Sequence, residues 1–259
     1  MSDIDIRVHG RVGRITLNRP KALNALTWEM CRAIERALDA WAADDAVAML
    51  LIEGEGEKAF CAGGDLAEMY ASGRRGDWSY GRRFWTDEYR MNLKLFRFPK
   101  PVASFLQGFT MGGGVGVGCH GSHRIVGETS KIAMPECGIG LVPDVGGSLI
   151  LACAPGRLGE YLGLTGARMD AADAIHAGFA DYHVPEADWP ALKARLVETG
   201  DWDEVDRAAT DPGPSALAAA QPQIDAVFGG ERLGDIHRAI PADPAPAIAE
   251  ARKLMSRNA

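Results

Sequence analysis

Runs of apolar and alternating residues predict several β-strands in the first half of the chain. Residues 4–10 (IDIRVHG) and 12–20 (VGRITLNRP) alternate apolar with polar side chains and meet at a short glycine-containing turn, which predicts a hairpin. Three later runs, 47–53 (VAMLLIE), 102–108 (VASFLQG) and 122–128 (SHRIVGE), predict further strands. The first two of these are nearly continuous in apolar residues, as expected of strands buried on both faces.

Helical patterns separate these strands. Thr27 is placed to cap a helix whose apolar side chains recur at helical spacing, and a long aromatic-rich helix is predicted from about Tyr80 to Arg97. Residues 54–64 (GEGEKAFCAGG) are interpreted as a loop, and Asp65 is placed to cap the helix that follows. Strands that alternate with helices in this way predict an α/β fold with crossover connections.

The second half of the chain is mainly helical in pattern. Helical segments follow from about residue 147, with one short strand predicted at 181–185 (DYHVP). The stretches DPGP and PADPAP interrupt the more polar helical pattern near the end of the chain. We therefore predict an α/β core over residues 1–185 and a helical C-terminal region over residues 186–259.

Composition and charge exclude several classes of function. The 259 residues are 47% hydrophobic and carry a formal net charge of −7, and the absence of a basic, aromatic-rich patch argues against nucleic-acid binding. Neither an apolar run of ~18 residues nor a secretion-signal pattern is evident, so no membrane association is predicted. Five cysteines without a CxxC pair indicate reduced thiols in a cytoplasmic protein.

No metal site is predicted from the histidines. His120 and His123 could share one face of a helix, but a metal site usually needs three or four ligands and no third ligand is in view.

Glycine is concentrated in residues 108–121 (GFTMGGGVGVGCHG), where it fills seven of fourteen positions. This density is explained either by close approach of the backbone to a ligand and exposed N–H groups at a helix start, or by tight packing of a helix on a strand. Residues 116–121 also fit the dinucleotide-binding pattern GxGxxG. That pattern should precede a helix, whereas a strand pattern follows it here.

A second glycine-rich segment, residues 59–69 (AFCAGGDLAEM), also ends a loop and opens a helix. Two such segments can bring two backbone N–H donors to one point, which is the form of an oxyanion hole.

Two carboxylates stand in unusual surroundings within residues 134–147 (MPECGIGLVPDVGG). Glu136 and Asp144 are flanked there by apolar residues, proline and glycine, with Cys137 as the only other polar side chain. Burying a carboxylate in such surroundings is costly unless another group pairs with it or the site uses it. The segment is therefore a candidate for catalysis.

These segments, in this order and spacing, resemble the crotonase (enoyl-CoA hydratase/isomerase) superfamily. The resemblance covers residues 5–185 and rests on AFCAGGDL, GFTMGGGVGVG, MPECGIGLVPDVGG and LGLTGARMDAADAIHAGFADYHV together. It implies a ββα superhelix core with a helical C-terminal region, and chemistry in which two backbone N–H groups stabilise a thioester enolate or tetrahedral oxyanion. By position, these donors are expected to be Gly64 and Gly113.

Departures from the hydratase pattern indicate a branch of this family. Hydratases carry two glutamates, and this chain keeps only the second, as Glu136, with Gly116 at the first position. Asp144 stands where hydratases usually carry glycine, and Glu88 precedes Tyr89 in residues 84–92 (FWTDEYRMN). Both features resemble the 3-hydroxyisobutyryl-CoA hydrolase branch, whose reaction belongs to valine degradation.

The resemblance implies a role for each of these residues. Glu136 is expected to act on the thioester carbonyl, either as a nucleophile or as the base for a water molecule. Asp144 and Glu88 are expected to orient the acyl group through its 3-hydroxyl, and Gly113 to bind substrate as well as the oxyanion. No cofactor is expected, since coenzyme A is part of the substrate.

Two other functions stay open. The same scaffold supports a hydratase or double-bond isomerase, if Glu136 is sufficient for proton transfer with help from Asp144 or Glu88. A non-catalytic acyl-CoA-binding protein is the other alternative.

Structural alternatives also stay open for the individual residues. Glu136 could pair with local N–H groups at a helix start, Asp144 could cap the helix that begins near Gly146, and Glu88 could lie on a solvated helix face. The cysteines near the site, Cys61, Cys119 and Cys137, are interpreted as packing residues.

Contacts with coenzyme A and with other copies of the chain are less well defined by the sequence. The basic residues expected to contact the phosphates of coenzyme A are Lys21, Lys58 and Arg97. The resemblance implies a homo-oligomer of the trimer or hexamer type. Hydrolases of this branch continue beyond the point where this sequence stops, so we expect Ile248 and Leu254 to lie on an exposed apolar face and to promote self-association.

Overall fold

Strands and helices alternate through most of the computed structural model, which describes residues 2–257. The strands are β1 (Ile4–His9), β2 (Val12–Leu17), β3 (Met49–Gly54), β4 (Ala59–Cys61), β5 (Val102–Phe105), β6 (Phe109–Met111), β7 (His123–Val126), β8 (Lys131–Ala133) and β9 (Tyr182–His183). The helices are α1 (Trp28–Trp41), α2 (Leu66–Arg74), α3 (Ser79–Phe96), α4 (Gly113–Gly118), α5 (Gly147–Cys153), α6 (Leu158–Thr165), α7 (Ala171–His176), α8 (Trp189–Thr199), α9 (Asp203–Ala208), α10 (Ala216–Val227), α11 (Leu233–Ala239) and α12 (Pro246–Arg257). Short 3-10 turns lie at Pro20–Ala22, Glu136–Ile139 and Glu186–Asp188.

The larger sheet has six strands in the order β1-β2-β3-β5-β7-β9, and all neighbours except the β1-β2 hairpin are parallel. In β3, Leu50 and Ile52 belong to one apolar cluster, whereas Met49 and Leu51 belong to a second cluster that includes α8. Both faces of the strand are therefore covered, as its continuous apolar sequence predicts.

A smaller parallel sheet contains β4, β6 and β8. Each of its strands follows a strand of the larger sheet, so the chain repeats a ββα unit as β3-β4-α2 and β5-β6-α4, with β7-β8 leading into the turn Glu136–Ile139. This arrangement confirms the predicted ββα spiral. The prediction that residues 54–64 form only a loop is wrong, because Ala59–Cys61 pairs with β6; three residues are too few to show a strand period.

Capping residues set the starts of two helices as the sequence predicts. The Thr27 hydroxyl accepts a hydrogen bond from the amide of Met30 at 3.2 Å, and the Asp65 carboxylate accepts one from the amide of Ala67 at 3.0 Å. Asp65 directly follows the loop that contains Gly64, so this cap fixes one edge of the candidate site.

The C-terminal helices pack on the core of the same chain. Helix α12 lies against α6 and α10, and Ile248 is only 2% exposed. The expectation that Ile248 is exposed is therefore wrong, since α6 and α10 cover it; Leu254 is half-buried. No helix within residues 2–257 is long and apolar enough to cross a bilayer. The boundary at residue 185 stays a prediction.

Candidate active site

Two glycines from successive ββα units meet beyond the ends of β4 and β6. A Cβ atom at Gly113 would lie 3.1 Å from the Gly64 nitrogen and 2.7 Å from Glu88 Oε1, so only glycine fits there. The N–H groups of Gly64 and Gly113 donate to no protein acceptor within the described chain, residues 2–257. Two unpaired donors therefore border one small space, which suits an oxygen atom that gains negative charge.

A pocket of about 100 Å³ is lined by all the residues that the sequence predicts for the oxyanion, for catalysis and for the acyl group. Its walls include apolar side chains from α2 and α3, among them Met69 and Phe84. The predicted residues that line it are Gly64, Glu88, Gly113, Glu136 and Asp144. The structure thus brings three carboxyl groups and two unpaired amides into one enclosure.

Glu88 reaches this pocket from α3 and is only 2% exposed. Its Oε1 has no hydrogen-bond partner among the described residues. Burial, followed by the nearby charges of Asp144 and Glu136, raises the pKa of Glu88 to about 8. The alternative of a solvated helix face is therefore wrong, and the group carries a proton at neutral pH.

Glu136 begins the 3-10 turn after β8 and is 6% exposed. Its Oε2 has no hydrogen-bond partner in the part of the chain that the structure describes. Burial raises the pKa of Glu136 to about 7; the charge of Asp144 adds to this rise and the residue's own amide opposes it. The contact with its own amide fits the helix-start alternative, which therefore stays open, while Oε2 is left unpaired in the pocket.

Asp144 is half-buried and lies opposite Tyr89 of α3. The Tyr89 hydroxyl donates a hydrogen bond of 2.5 Å to Asp144 Oδ2. Burial raises the pKa of Asp144, although Tyr89 opposes that rise. The side chain does not cap α5, where Gly146 occupies the capping position, so the capping alternative is wrong. Nothing in the sequence signals the contact with Tyr89.

Gly116 is surrounded too closely for a side chain. A Cβ atom there would lie 2.8 Å from Asn92 Nδ2 and 2.8 Å from Val145 Cβ. Asn92 is 4% exposed, and neither polar atom of its amide has a partner among residues 2–257. The space into which a glutamate at position 116 would project is therefore filled, a feature that sequence reasoning missed.

The cysteines near the site are packing residues. Burial raises the pKa of Cys61 and of Cys119 to about 12, and it also raises the pKa of Cys137. Thiols with such values stay protonated and are weak nucleophiles at neutral pH.

The two histidines make separate contacts. His120 bonds to the carbonyl of Val145 and His123 to the hydroxyl of Ser122. Within residues 2–257, no group of three or more His, Cys, Asp or Glu side chains could hold a metal ion.

The proposed phosphate contacts do not reach the pocket. Lys21, Lys58 and Arg97 are exposed and are not among its lining residues. Arg97 instead lines a separate cavity between α1 and the end of α3. Their contact with coenzyme A stays a prediction.

Comparison with known proteins gives a consistent family. The sequence profile described as enoyl-CoA hydratase/isomerase matches residues 12–259. The chain is 41% identical over 196 residues to a protein of Gallus gallus named 3-hydroxyisobutyryl-CoA hydrolase, mitochondrial, covering 76% of this chain and 51% of that protein. The chain therefore spans about half the length of this curated relative.

Two solved structures match the fold over 99% of this chain. A structure titled as an enoyl-CoA hydratase from Rhodobacter sphaeroides 2.4.1 is 54% identical with a TM-score of 0.95, and the match covers 99% of this chain and 74% of that one. One titled as a carnitinyl-CoA dehydratase from Mycobacterium thermoresistibile is 44% identical with a TM-score of 0.95, over 99% and 75% of the two chains.

Proposed function

The chain belongs to the enoyl-CoA hydratase/isomerase family, and from this premise we propose that it hydrolyses an acyl-CoA thioester, with 3-hydroxyisobutyryl-CoA as its substrate. One observation carries the proposal. Glu136 shares a pocket with two unpaired N–H donors, while the space for a second glutamate at position 116 is filled by Asn92 and Val145. Hydratases place their first glutamate at position 116, and this chain has no room for one there. The site therefore suits attack on a carbonyl better than hydration by that pair of glutamates.

Glu136 either attacks the thioester carbonyl and forms a mixed anhydride, which water then hydrolyses to regenerate the carboxylate, or it removes a proton from the attacking water. In both routes the carbon–sulfur bond of the tetrahedral intermediate breaks, and the leaving sulfur takes up a proton supplied by the water that is consumed, so the products are the free acid and the CoA thiol. With a pKa of about 7, a substantial fraction of Glu136 is ionised near neutral pH. The amides of Gly64 and Gly113 hold the tetrahedral oxyanion. Loss of one such donor typically costs about 10²–10³ in rate.

Glu88 and Asp144 recognise the 3-hydroxyl of the acyl group. Protonated Glu88 offers both a donor and an acceptor, and Asp144 offers an acceptor that Tyr89 holds in place. A site that hydrogen-bonds a hydroxyl rejects analogues that lack it more strongly than an apolar pocket does. We therefore expect weak hydrolysis of isobutyryl-CoA.

Two assays on the purified chain test this function. One measures release of free CoA from (S)-3-hydroxyisobutyryl-CoA with a thiol reagent, and the other measures loss of enoyl absorbance from crotonyl-CoA. Release of CoA that Glu136→Gln abolishes would support the hydrolase. Thioester binding without turnover would favour the non-catalytic alternative instead.

A hydratase or isomerase is the second candidate. It is supported by the 54% identity to the Rhodobacter sphaeroides structure titled as an enoyl-CoA hydratase. Loss of enoyl signal without thiol release would establish this candidate and refute hydrolysis. A homo-oligomer of the trimer or hexamer type and a cytoplasmic location stay predictions under either function.

A further inference from the structure

Asp144 is followed by a residue in an unfavourable backbone conformation. Val145 has a φ of +48° and is 3% exposed. A β-branched residue rarely adopts this left-handed region, because its side chain crowds the neighbouring carbonyl. Such a conformation persists only where surrounding contacts fix it, and it is often found beside functional groups.

The side chain of His120 supplies such a contact. Its Nε2 lies 2.7 Å from the carbonyl oxygen of Val145. A carbonyl oxygen can only accept, so Nε2 carries the proton and donates it. The next residue, Gly146, has a φ of +78°, and a Cβ atom there would lie 2.6 Å from Nε2. Only glycine at 146 therefore lets the imidazole reach the Val145 carbonyl.

His120 is positioned outside the substrate pocket. It does not line the enclosure around Glu136 but borders a separate cavity, where its ring meets Phe96 edge to face at 6.0 Å. It lies two residues beyond α4, whose first residue is Gly113. A single short segment therefore carries one oxyanion donor at its start and, near its end, the group that holds the backbone after Asp144.

We propose that His120 is a positioning residue that holds the Val145 carbonyl and thereby keeps Asp144 directed at the acyl group. This role rests on the hydrolase function proposed above. His120 does not contact the pocket, so it acts on the reaction only through the Asp144–Val145 backbone. The Tyr89 hydroxyl holds the other end of the same residue, at the carboxylate.

A double-mutant cycle tests this role. His120→Leu removes the donor and should lower kcat for CoA release about tenfold, whereas His120→Gln keeps a side-chain N–H and should restore most of it. In an Asp144→Asn background, His120→Leu should have little further effect, since the group that it positions is already lost. His123→Leu is the matched control and should leave kcat unchanged, because His123 bonds to Ser122 and stacks on Tyr182.

Multiplicative losses in the His120 and Asp144 variants would overturn the proposal, as would a lower melting temperature with unchanged kcat. If His120→Leu folds poorly, Val145→Gly provides a second measurement, because glycine adopts the left-handed conformation without strain. In the Val145→Gly background, His120→Leu should then lower kcat by much less than about tenfold, and an undiminished loss would refute the role.

The failure of this proposal is distinguishable from failure of the hydrolase function. If the unaltered chain releases no CoA, titration calorimetry should instead measure the dissociation constant of (S)-3-hydroxyisobutyryl-CoA for each variant of the double-mutant cycle. Coupling between positions 120 and 144 in that constant would support positioning without hydrolysis. Additive changes in that constant would refute the positioning role.

Discussion

Glu53 and Glu136 are both 6% exposed, yet the charges and hydrogen-bond donors around them differ. Glu53 accepts hydrogen bonds from Arg14 at 2.6 Å and Thr16 at 2.9 Å, and Lys193 lies 3.0 Å from its other oxygen. Burial alone would raise the pKa of Glu53, but these two cations bring it below its ordinary value. No Lys or Arg within residues 2–257 forms an ion pair with Glu136, and its pKa rises to about 7.

Charge compensation, rather than burial or cavity size, separates Glu53 from the proposed catalytic acid Glu136. The cavity beside Glu53 measures about 700 Å³, whereas the pocket around Glu136 measures about 100 Å³. The buried acid that lines the larger cavity, Glu53, has both oxygens already bonded, so it is poorly suited to act on a ligand. The smaller one contains acids with unpaired oxygens and two unpaired N–H groups, which is where the chemistry is expected.

The largest expected effect comes from removing the ionisable oxygen at Glu136. Glu136→Gln should lower kcat/KM for CoA release by about 10³, because the amide can act neither as a base nor as a nucleophile. Its melting temperature should not fall, since a neutral group no longer faces the charge of Asp144. Paired kinetic and thermal measurements check both statements.

Glu57→Gln is the matched control for this experiment, because Glu57 is an exposed glutamate outside the pocket. Less than a tenfold loss in Glu136→Gln would mean that the uncompensated acid is not the reacting group.

The second-largest expected effect concerns Glu53, the buried acid whose charge is compensated. Glu53→Ala should lower the free energy of unfolding by about 3 kcal/mol, because Arg14 and Lys193 lose their shared buried partner. Its kcat/KM should match the unaltered chain at temperatures where both are folded. Denaturant unfolding measures the first quantity, and Glu55→Ala, at an exposed neighbour, is the control. A loss of activity in folded Glu53→Ala would place Glu53 in the reaction.

The sequence predicts the larger elements because their patterns are long. The hairpin and the aromatic helix each show a clear period, β3 is a continuous apolar run, and the structure confirms all three. The strands β4, β6 and β8 have three residues each, too few for a period, and only their pairing across units reveals the smaller sheet.

The site residues also divide into those that local sequence patterns predict and those that they do not. Glu136 and Asp144 are conspicuous because acids in an apolar stretch demand an explanation, and the glycines because of their density. Tyr89, Asn92 and His120 lie on segments that are far in sequence from the groups they contact, and tyrosine, asparagine and histidine are ordinary residues in such segments. Their importance depends on tertiary contacts, which local patterns do not contain.

The third effect distinguishes the pocket acids from Glu53 by the pH dependence of the free energy of unfolding. Glu88 and Glu136 keep protons in the folded chain at pH values where an unfolded chain has lost them, because their pKa values rise to about 8 and about 7. The free energy of unfolding should therefore fall by about 2 kcal/mol as the pH rises from about 6.5 to about 8. Glu53 acts oppositely, since its lowered pKa gives stability that is lost only as the pH falls below about 4.5.

Denaturant unfolding at a series of pH values measures this slope. The double variant Glu88→Gln/Glu136→Gln should flatten it, whereas Glu53→Gln should leave it in place above about pH 5. An unchanged slope in the double variant would mean that the pocket acids are ionised in the folded chain, and the contrast with Glu53 would disappear.

The smallest effect concerns Asp144, which stands between the two extremes because one of its oxygens is bonded, to Tyr89. Tyr89→Phe removes that donor and should lower kcat/KM about fivefold, since a hydrogen bond of this kind contributes about 1 kcal/mol and water can replace it at a half-buried carboxylate. The melting temperature should barely change, because Tyr89 is 43% exposed. Tyr70→Phe, at a more exposed tyrosine outside the pocket, is the control for the substitution itself. A loss as large as that of Glu136→Gln would contradict a supporting role, because it would require the Tyr89 hydroxyl itself to take part in the reaction.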